Sequence, residues 1–211
     1  MINAETNIDQ TYEVELVRKA IHLCSLAIPV YYFFHQRDAA LRLFIPVTLF
    51  VIVVDLGRYY IPPLGQLFGS IFGWLLRAHE TDKKTKRLNG ASYVLLSATL
   101  CVLIFPKVIA ISSFSILIIG DLFAALIGRR FGKHKIFGKS VEGTLAFFAT
   151  GLLVMCLTPK VEYRAVEYLI GTIGVAVAAL IEVLPLPFDD NLSVPLAAGF
   201  VMWAGYWMVG M

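Results

Sequence analysis

Asp121 lies inside an apolar run, ILIIGDLFAALIG, that would otherwise cross a bilayer, and a basic, glycine-punctuated stretch follows at once: Arg129, Arg130, Gly132, Lys133, Lys135, Gly138 and Lys139. A charge in hydrocarbon costs at least about 2.5–3.5 kcal/mol on insertion scales, so an ionisable residue there is by default a functional-site hypothesis. A carboxylate leading into a cationic loop at a membrane surface suits metal-bound polyphosphate, which is enzyme chemistry. Asp121, Ala124, Ala125 and Gly128 fall at i, i+3, i+4, i+7, so the carboxylate shares a helix face with small residues that permit close helix approach. Lys139 and Ser140 precede Glu142, Gly143 and Thr144 at a helix start, where the partial positive charge of the N-terminus favours a phosphate. Ser140 can cap that helix, with Glu142 favourable in its first turn; a positive loop with a good cap is the plain structural alternative. The loop is not a P-loop, because five residues rather than four separate Gly132 from Gly138 and a membrane helix precedes them.

Four further groups carry chemistry. Glu15, Arg18, Lys19 and His22 repeat the i, i+3, i+4, i+7 spacing at the entrance to the first apolar run. A snorkelling anchor explains the first three, but not His22. Asp55 and Arg58 can pair on one helix face and orient their spans. Asn89-Gly90-Ala91-Ser92 is a turn opening a helix, serving either as a cap or as phosphate donors. Glu182 precedes Asp189, Asp190 and Asn191, hard oxygen ligands suited to Mg²⁺, with Pro185, Pro187 and Pro195 stiffening the turn. Capping by Asp190 or Asn191 is the competing reading, and it needs only one such residue.

These groups must be positioned by membrane helices. The chain of 211 residues is 58% hydrophobic and 16% charged, with a mean hydropathy of +0.76, which excludes an ordinary soluble domain. Apolar runs near 20–35, 41–61, 91–106, 108–128, 143–158, 166–184 and 192–210 predict an all-α, polytopic transmembrane bundle of about seven spans. Segment 64–76 is an interfacial or re-entrant candidate. Residues 1–211 read as a single catalytic domain without repeats. The polar, acidic N-terminus is not a cleavable signal, so the first span serves for targeting. Cys24, Cys101 and Cys156 sit singly in apolar runs and read as small buried hydrophobes.

With the N-terminus cytoplasmic, the inside segments hold thirteen of the 18 basic residues: Arg18, Lys19, Arg58, Arg77, Lys83, Lys84, Lys86, Arg87, Arg129, Arg130, Lys133, Lys135 and Lys139. The same orientation places Asp55, Asp121 and Glu182 in the cytoplasmic third of their spans. Asp121, seven residues before Gly128, lies about 10 Å deep. A transporter would place polar groups near the midplane or at both ends. Polar groups at one rim fit an enzyme that draws one substrate from the cytosol and the other from the lipid.

The blocks ELVRKAIHL (15–23), DLGR (55–58), HETDKKTKRLNGASY (79–93), GDLFAALIGRRFGKHKIFGKSVEGT (120–144) and EVLPLPFDDNLSVPL (182–196), in that order, resemble the CTP-dependent lipid-alcohol kinases: dolichol kinase, phytol kinase and the CTP-dependent diacylglycerol kinase. The third and fourth blocks are also similar to phosphatidate cytidylyltransferases. The resemblance implies transfer of a phosphoryl group from CTP to a membrane lipid hydroxyl, with CTP, the lipid alcohol and the bilayer as partners and no nucleic acid. It implies nucleotide binding by Arg18, Lys19, Asn89, Arg129, Lys133, Lys139, Ser140 and Gly143. Mg²⁺ would be held among Asp121, Glu142, Asp189, Asp190 and Asn191, and Asp121, Glu182 and His22 are the candidates for the general base. The preference for CTP comes with the resemblance alone. A cytidylyltransferase would instead release pyrophosphate and make a CDP-lipid. A non-enzymatic transporter or scaffold would tolerate Asp121→Ala.

Overall fold

The computed structural model describes residues 2–76, 80 and 86–211, with side chains from residue 13 onward. Arg77, Lys83 and Lys84, and most of the HETDKKTKR stretch, lie outside the described residues. The centre is α6 (Lys107–Phe131), in which every residue from Ile109 to Ile118 is buried. A helix that is buried all round belongs in an interior. Around it pack α7 (Val141–Leu157), α9 (Asp190–Met208) and α5 (Gly90–Ile104), and α8 (Ala165–Val183) fills the space between α7 and α9. Outside α5 lies α3 (Arg37–Tyr60), and α4 (Pro62–Phe72) folds back on α3 before a single 3-10 turn, Gly73–Leu75.

Among the described residues three helices, α3, α6 and α8, are long and apolar enough to cross a membrane, and α5 and α7 are shorter apolar helices. Large apolar side chains such as Leu49, Val53, Leu145, Leu153 and Leu169 face outward. An apolar exterior of this kind matches hydrocarbon rather than water. The protein is an α-helical membrane protein. The helix bounds follow the apolar runs closely, except at two places.

The first run is not one continuous helix. Helix α1 (Ile2–Cys24) ends at a turn, and α2 (Ala27–Phe34) begins after it. Pro29 has no N–H to give to the Ser25 carbonyl and its ring crowds that carbonyl, while Ser25 and Leu26 make tight i−3 bonds to His22 and Leu23. The second difference is a small hairpin within the basic loop, β1 (Lys135–Ile136) paired antiparallel with β2 (Lys139–Ser140). The segment 64–76 forms α4 and the 3-10 turn, and no residue of α4 is buried.

The small-residue face of α6 is used as its spacing implies. A Cβ on Gly143 would stand 2.8 Å from the Ala124 carbonyl oxygen and 3.2 Å from the Gly128 Cα, so α6 and α7 meet at backbone distance. One turn further in, a Cβ on Gly120 would stand 2.7 Å from the Phe147 ring, which is fully buried. Gly120→Val should therefore cost about 1–3 kcal/mol through overpacking. A lowered thermal midpoint of the detergent-solubilised protein is the expected result; an unchanged midpoint would contradict this packing.

Candidate active site

Two cavities open at the end of the bundle where the polar motifs gather. The larger, of about 600 Å³, has walls from Phe50, Val54, Phe68, Phe72 and Val94 and a polar floor of Lys19, His22 and Asp121. Lys19 Nζ lies 2.5 Å from Asp121 Oδ2, and His22 Nε2 lies 3.5 Å from the same oxygen. Helices α1 and α6 are thus joined by the face of α1 that its spacing defines. Glu15 also lines this cavity; Arg18 pairs with it, and Arg129 of α6 lies 3.4 Å away. Arg18 further donates to the Leu75 carbonyl at 3.3 Å, tying α1 to the 3-10 turn.

The smaller cavity, of about 330 Å³, is lined by Arg87, Tyr93, Lys139, Asp189 and Asp190 with the Leu184–Phe188 turn. Lys139 Nζ lies 2.7 Å from Asp190 Oδ2 and 2.8 Å from Glu182 Oε1, and it also donates to the Glu182 carbonyl. Burial opposes the Lys139 charge and is the largest single influence, but the Asp190 and Glu182 carboxylates together outweigh it and raise its pKa. Lys139 therefore stays protonated through any ordinary assay pH. The two cavities meet at one turn of the chain. The acidic turn divides them: Asn191 lines the larger cavity, and Asp189 and Asp190 line the smaller.

A third group shapes the larger cavity. Asp55, 1% exposed, accepts from Asn89 N at 2.8 Å and Ser92 Oγ at 2.7 Å and lies 2.9 Å from Arg58 Nε. Asn89 caps α5 through Oδ1, which accepts from Ser92 N at 2.9 Å, and Gly90 N donates to Glu80 Oε1 at 3.1 Å. The backbone donors of Asn89, Gly90 and Ser92 are thus spent on protein acceptors, and Asn89 serves as a cap. Arg58 and Tyr59 donate to the carbonyls of Glu80 and Arg87, fixing the return of the loop. Glu80 and Tyr59 escaped the sequence reading, since nothing in a polar loop marks one acid among several.

The expected metal set does not form a single shell. Among the described residues no group of three His, Cys, Asp or Glu could hold a metal ion by itself. Each carboxylate already has a neighbour: Asp121 has Lys19, Asp190 has Lys139, and Glu142 Oε1 lies 2.8 Å from His134 Nδ1. Asp189 caps α9 and accepts from Asn191 N at 3.0 Å and Nδ2 at 2.8 Å. The cap is one residue earlier than the spacing suggested, and this leaves Asp190 for Lys139. Ser140 caps α7 by accepting from Gly143 N at 3.1 Å, so that donor too is occupied. Lys133 stands exposed on the loop.

Comparison with known proteins gives the chain its family. The chain is 30% identical over 190 residues to an uncharacterised protein of Rickettsia prowazekii, covering 89% of this chain and 93% of the other. It is 31% identical over 206 residues to a probable chloroplastic phytol kinase of Triticum aestivum, covering 88% of this chain and 66% of that protein. It is 26% identical over 166 residues to the CTP-dependent diacylglycerol kinase 1 of Schizosaccharomyces pombe, covering 71% and 73%. The chain belongs to the CTP-dependent lipid kinase family. No family model and no solved structure matches it.

In this lipid kinase the Asp55–Arg58 pair is a scaffold for the larger cavity, with side chains only 1% and 6% exposed. Asp55→Ala strands a buried guanidinium and two donors, which should cost about 3–5 kcal/mol. Loss of stability in a detergent melt is the expected result; a variant as stable as wild type would contradict the clamp.

Proposed function

We propose that this kinase transfers the γ-phosphate of CTP to the hydroxyl of a membrane lipid alcohol, of polyprenol, phytol or diacylglycerol type, at the cytoplasmic face. One observation carries the reading: a single acidic turn, Asp189-Asp190-Asn191, separates an apolar-walled cavity with a carboxylate floor from a polar cavity holding Lys139. A greasy acceptor and a charged donor need such adjoining compartments of opposite character.

In the larger cavity the acceptor's chain lies along Phe50, Phe68 and Phe72, and its hydroxyl reaches the floor. Asp121, oriented by Lys19 with His22 beside it, accepts the hydroxyl proton as the oxygen attacks the γ-phosphorus and CDP departs. On the other side Lys139 neutralises phosphate charge, while Arg18, Lys19 and Arg129 add positive potential. Positioning and neutralisation are most of what phosphoryl transfer requires.

The residues fit a magnesium ion that arrives with the nucleotide. Mg²⁺ commonly takes only one or two carboxylates, keeping its waters and the substrate phosphates, so a three-ligand protein cluster is not required. Asp189 and Asp190 are hard oxygen donors in the polar cavity, and nearby Glu182 Oε2 is buried without a hydrogen-bond partner. Bound by Asp189 and Asp190, Mg²⁺ would neutralise charge on the transferring phosphate.

Incubation of the purified protein with γ-labelled CTP, Mg²⁺ and a panel of lipid alcohols tests the assignment. Label in a lipid monophosphate, with CDP released, is the expected result; label in no lipid, or pyrophosphate with a CDP-lipid, overturns it. Asp121→Asn should lower kcat by about 10²–10⁴, the range of a lost general base. A kcat within twofold of wild type would remove Asp121 from the chemistry.

A further inference from the structure

We propose that Phe137 and Phe188 form an aromatic clamp for the nucleobase of the triphosphate donor. The proposal rests on the kinase reading above and adds to it where the nucleoside end of the donor sits. Both rings line the 330 Å³ cavity together with Lys139, Asp189 and Asp190, yet they are 65% and 66% exposed. Two large apolar rings bordering a polar, charged cavity gain nothing from it while it holds only water. A flat, polar-edged heterocycle attached to a polyphosphate satisfies both features: its π-face covers the rings while its phosphates meet Lys139.

The backbone at Phe137 supports a role for that ring. Phe137 and Gly138 are the two central residues of the hairpin, with φ of +49° and +84°. Turns of this hand favour Asn-Gly, and a bulky aromatic in the left-handed region is an outlier. Glycine serves Gly138 at no cost, but the turn gives no structural reason for a phenylalanine beside it. Such outliers persist where a side chain must be presented in one place. The hairpin is anchored at its base, where Val141 N donates to the His134 carbonyl at 2.9 Å and His134 pairs with Glu142. Phe188 comes from a different part of the chain, on the turn stiffened by Pro185 and Pro187 and fixed by the Asp189 cap.

The two cavities also differ in what they can hold. The larger is apolar-walled and suits a lipid tail. The smaller, at the lower end of small-molecule sites, suits a base and ribose rather than an acyl chain.

The test compares wild type with Phe137→Leu, Phe188→Leu and the conservative Phe137→Tyr and Phe188→Tyr. Each is assayed for KM of CTP at saturating lipid alcohol, KM of the alcohol at saturating CTP, and CTP binding by equilibrium dialysis. Both rings are exposed, so all four variants should fold. The leucine variants are expected to raise the KM and dissociation constant of CTP about tenfold while leaving the KM of the alcohol unchanged, and the tyrosine variants to stay within twofold. Leucine variants that bind CTP as wild type does would overturn the clamp. So would a defect confined to the alcohol's KM or to vesicle association, which would make the rings bilayer anchors. Dialysis does not depend on the acceptor, so a wild type that binds CTP but labels no lipid fails the kinase reading alone.

Discussion

A charge held within a helix bundle in a membrane must have a partner, and in this protein the partners of Asp121 and Glu182 come from distant parts of the chain. Removing an ion from water costs several kcal/mol even after relaxation, which only close, well-aligned pairing offsets. Asp121 of α6 meets Lys19 and His22 of α1; Glu182 at the end of α8 meets Lys139 of the hairpin. These pairings set how α1, α6, α8 and the hairpin converge at one end. The opposite end uses its charges differently: Lys107 donates to the His35 carbonyl at 2.9 Å, and Glu167 gathers backbone N–H groups and the Tyr206 hydroxyl. Those contacts close helix ends.

The packing divides the labour. Helices α5 to α9 pack tightly, with glycines at 120, 143, 151, 171, 174, 199 and 205 each set against a neighbour where a Cβ would crowd. No residue of α4 is buried and a Cβ at Gly69 or Gly73 would meet open space, but α4 meets α3 closely where a Cβ at Gly65 would stand 2.6 Å from the Arg58 carbonyl oxygen. The apolar cavity lies between α5 and α6 on one side and α1, α3 and α4 on the other. Its walls are apolar and its floor is charged.

Much of this was legible in the sequence because membrane constraints are strong. Apolar length located the helices, and the i, i+3, i+4, i+7 spacings placed Glu15–His22 and Asp121–Gly128 on the faces they use. What spacing could not show was pairing across the chain. Nothing local links Lys139 to Glu182, 43 residues away, or Asn89 to Asp55, 34 residues away. The five proposed metal residues looked equivalent as oxygen donors, yet the fold gives each a different neighbour. Pro29 broke a run that hydropathy alone reads as continuous. Phe137 and Phe188 carried no signal, since an exposed ring is visible only once a cavity is seen behind it.

The central claim is that side chains from α6, the hairpin and the last acidic turn converge on one nucleotide at one membrane face. Single cysteines at positions 121, 139 and 190, in a protein lacking its native three, can be tested with a membrane-impermeant thiol reagent in sealed, oriented vesicles. The account predicts labelling at all three positions from the cytoplasmic side only, with CTP and Mg²⁺ slowing it at each. Labelling of any one from the opposite side, or protection at none, would contradict it.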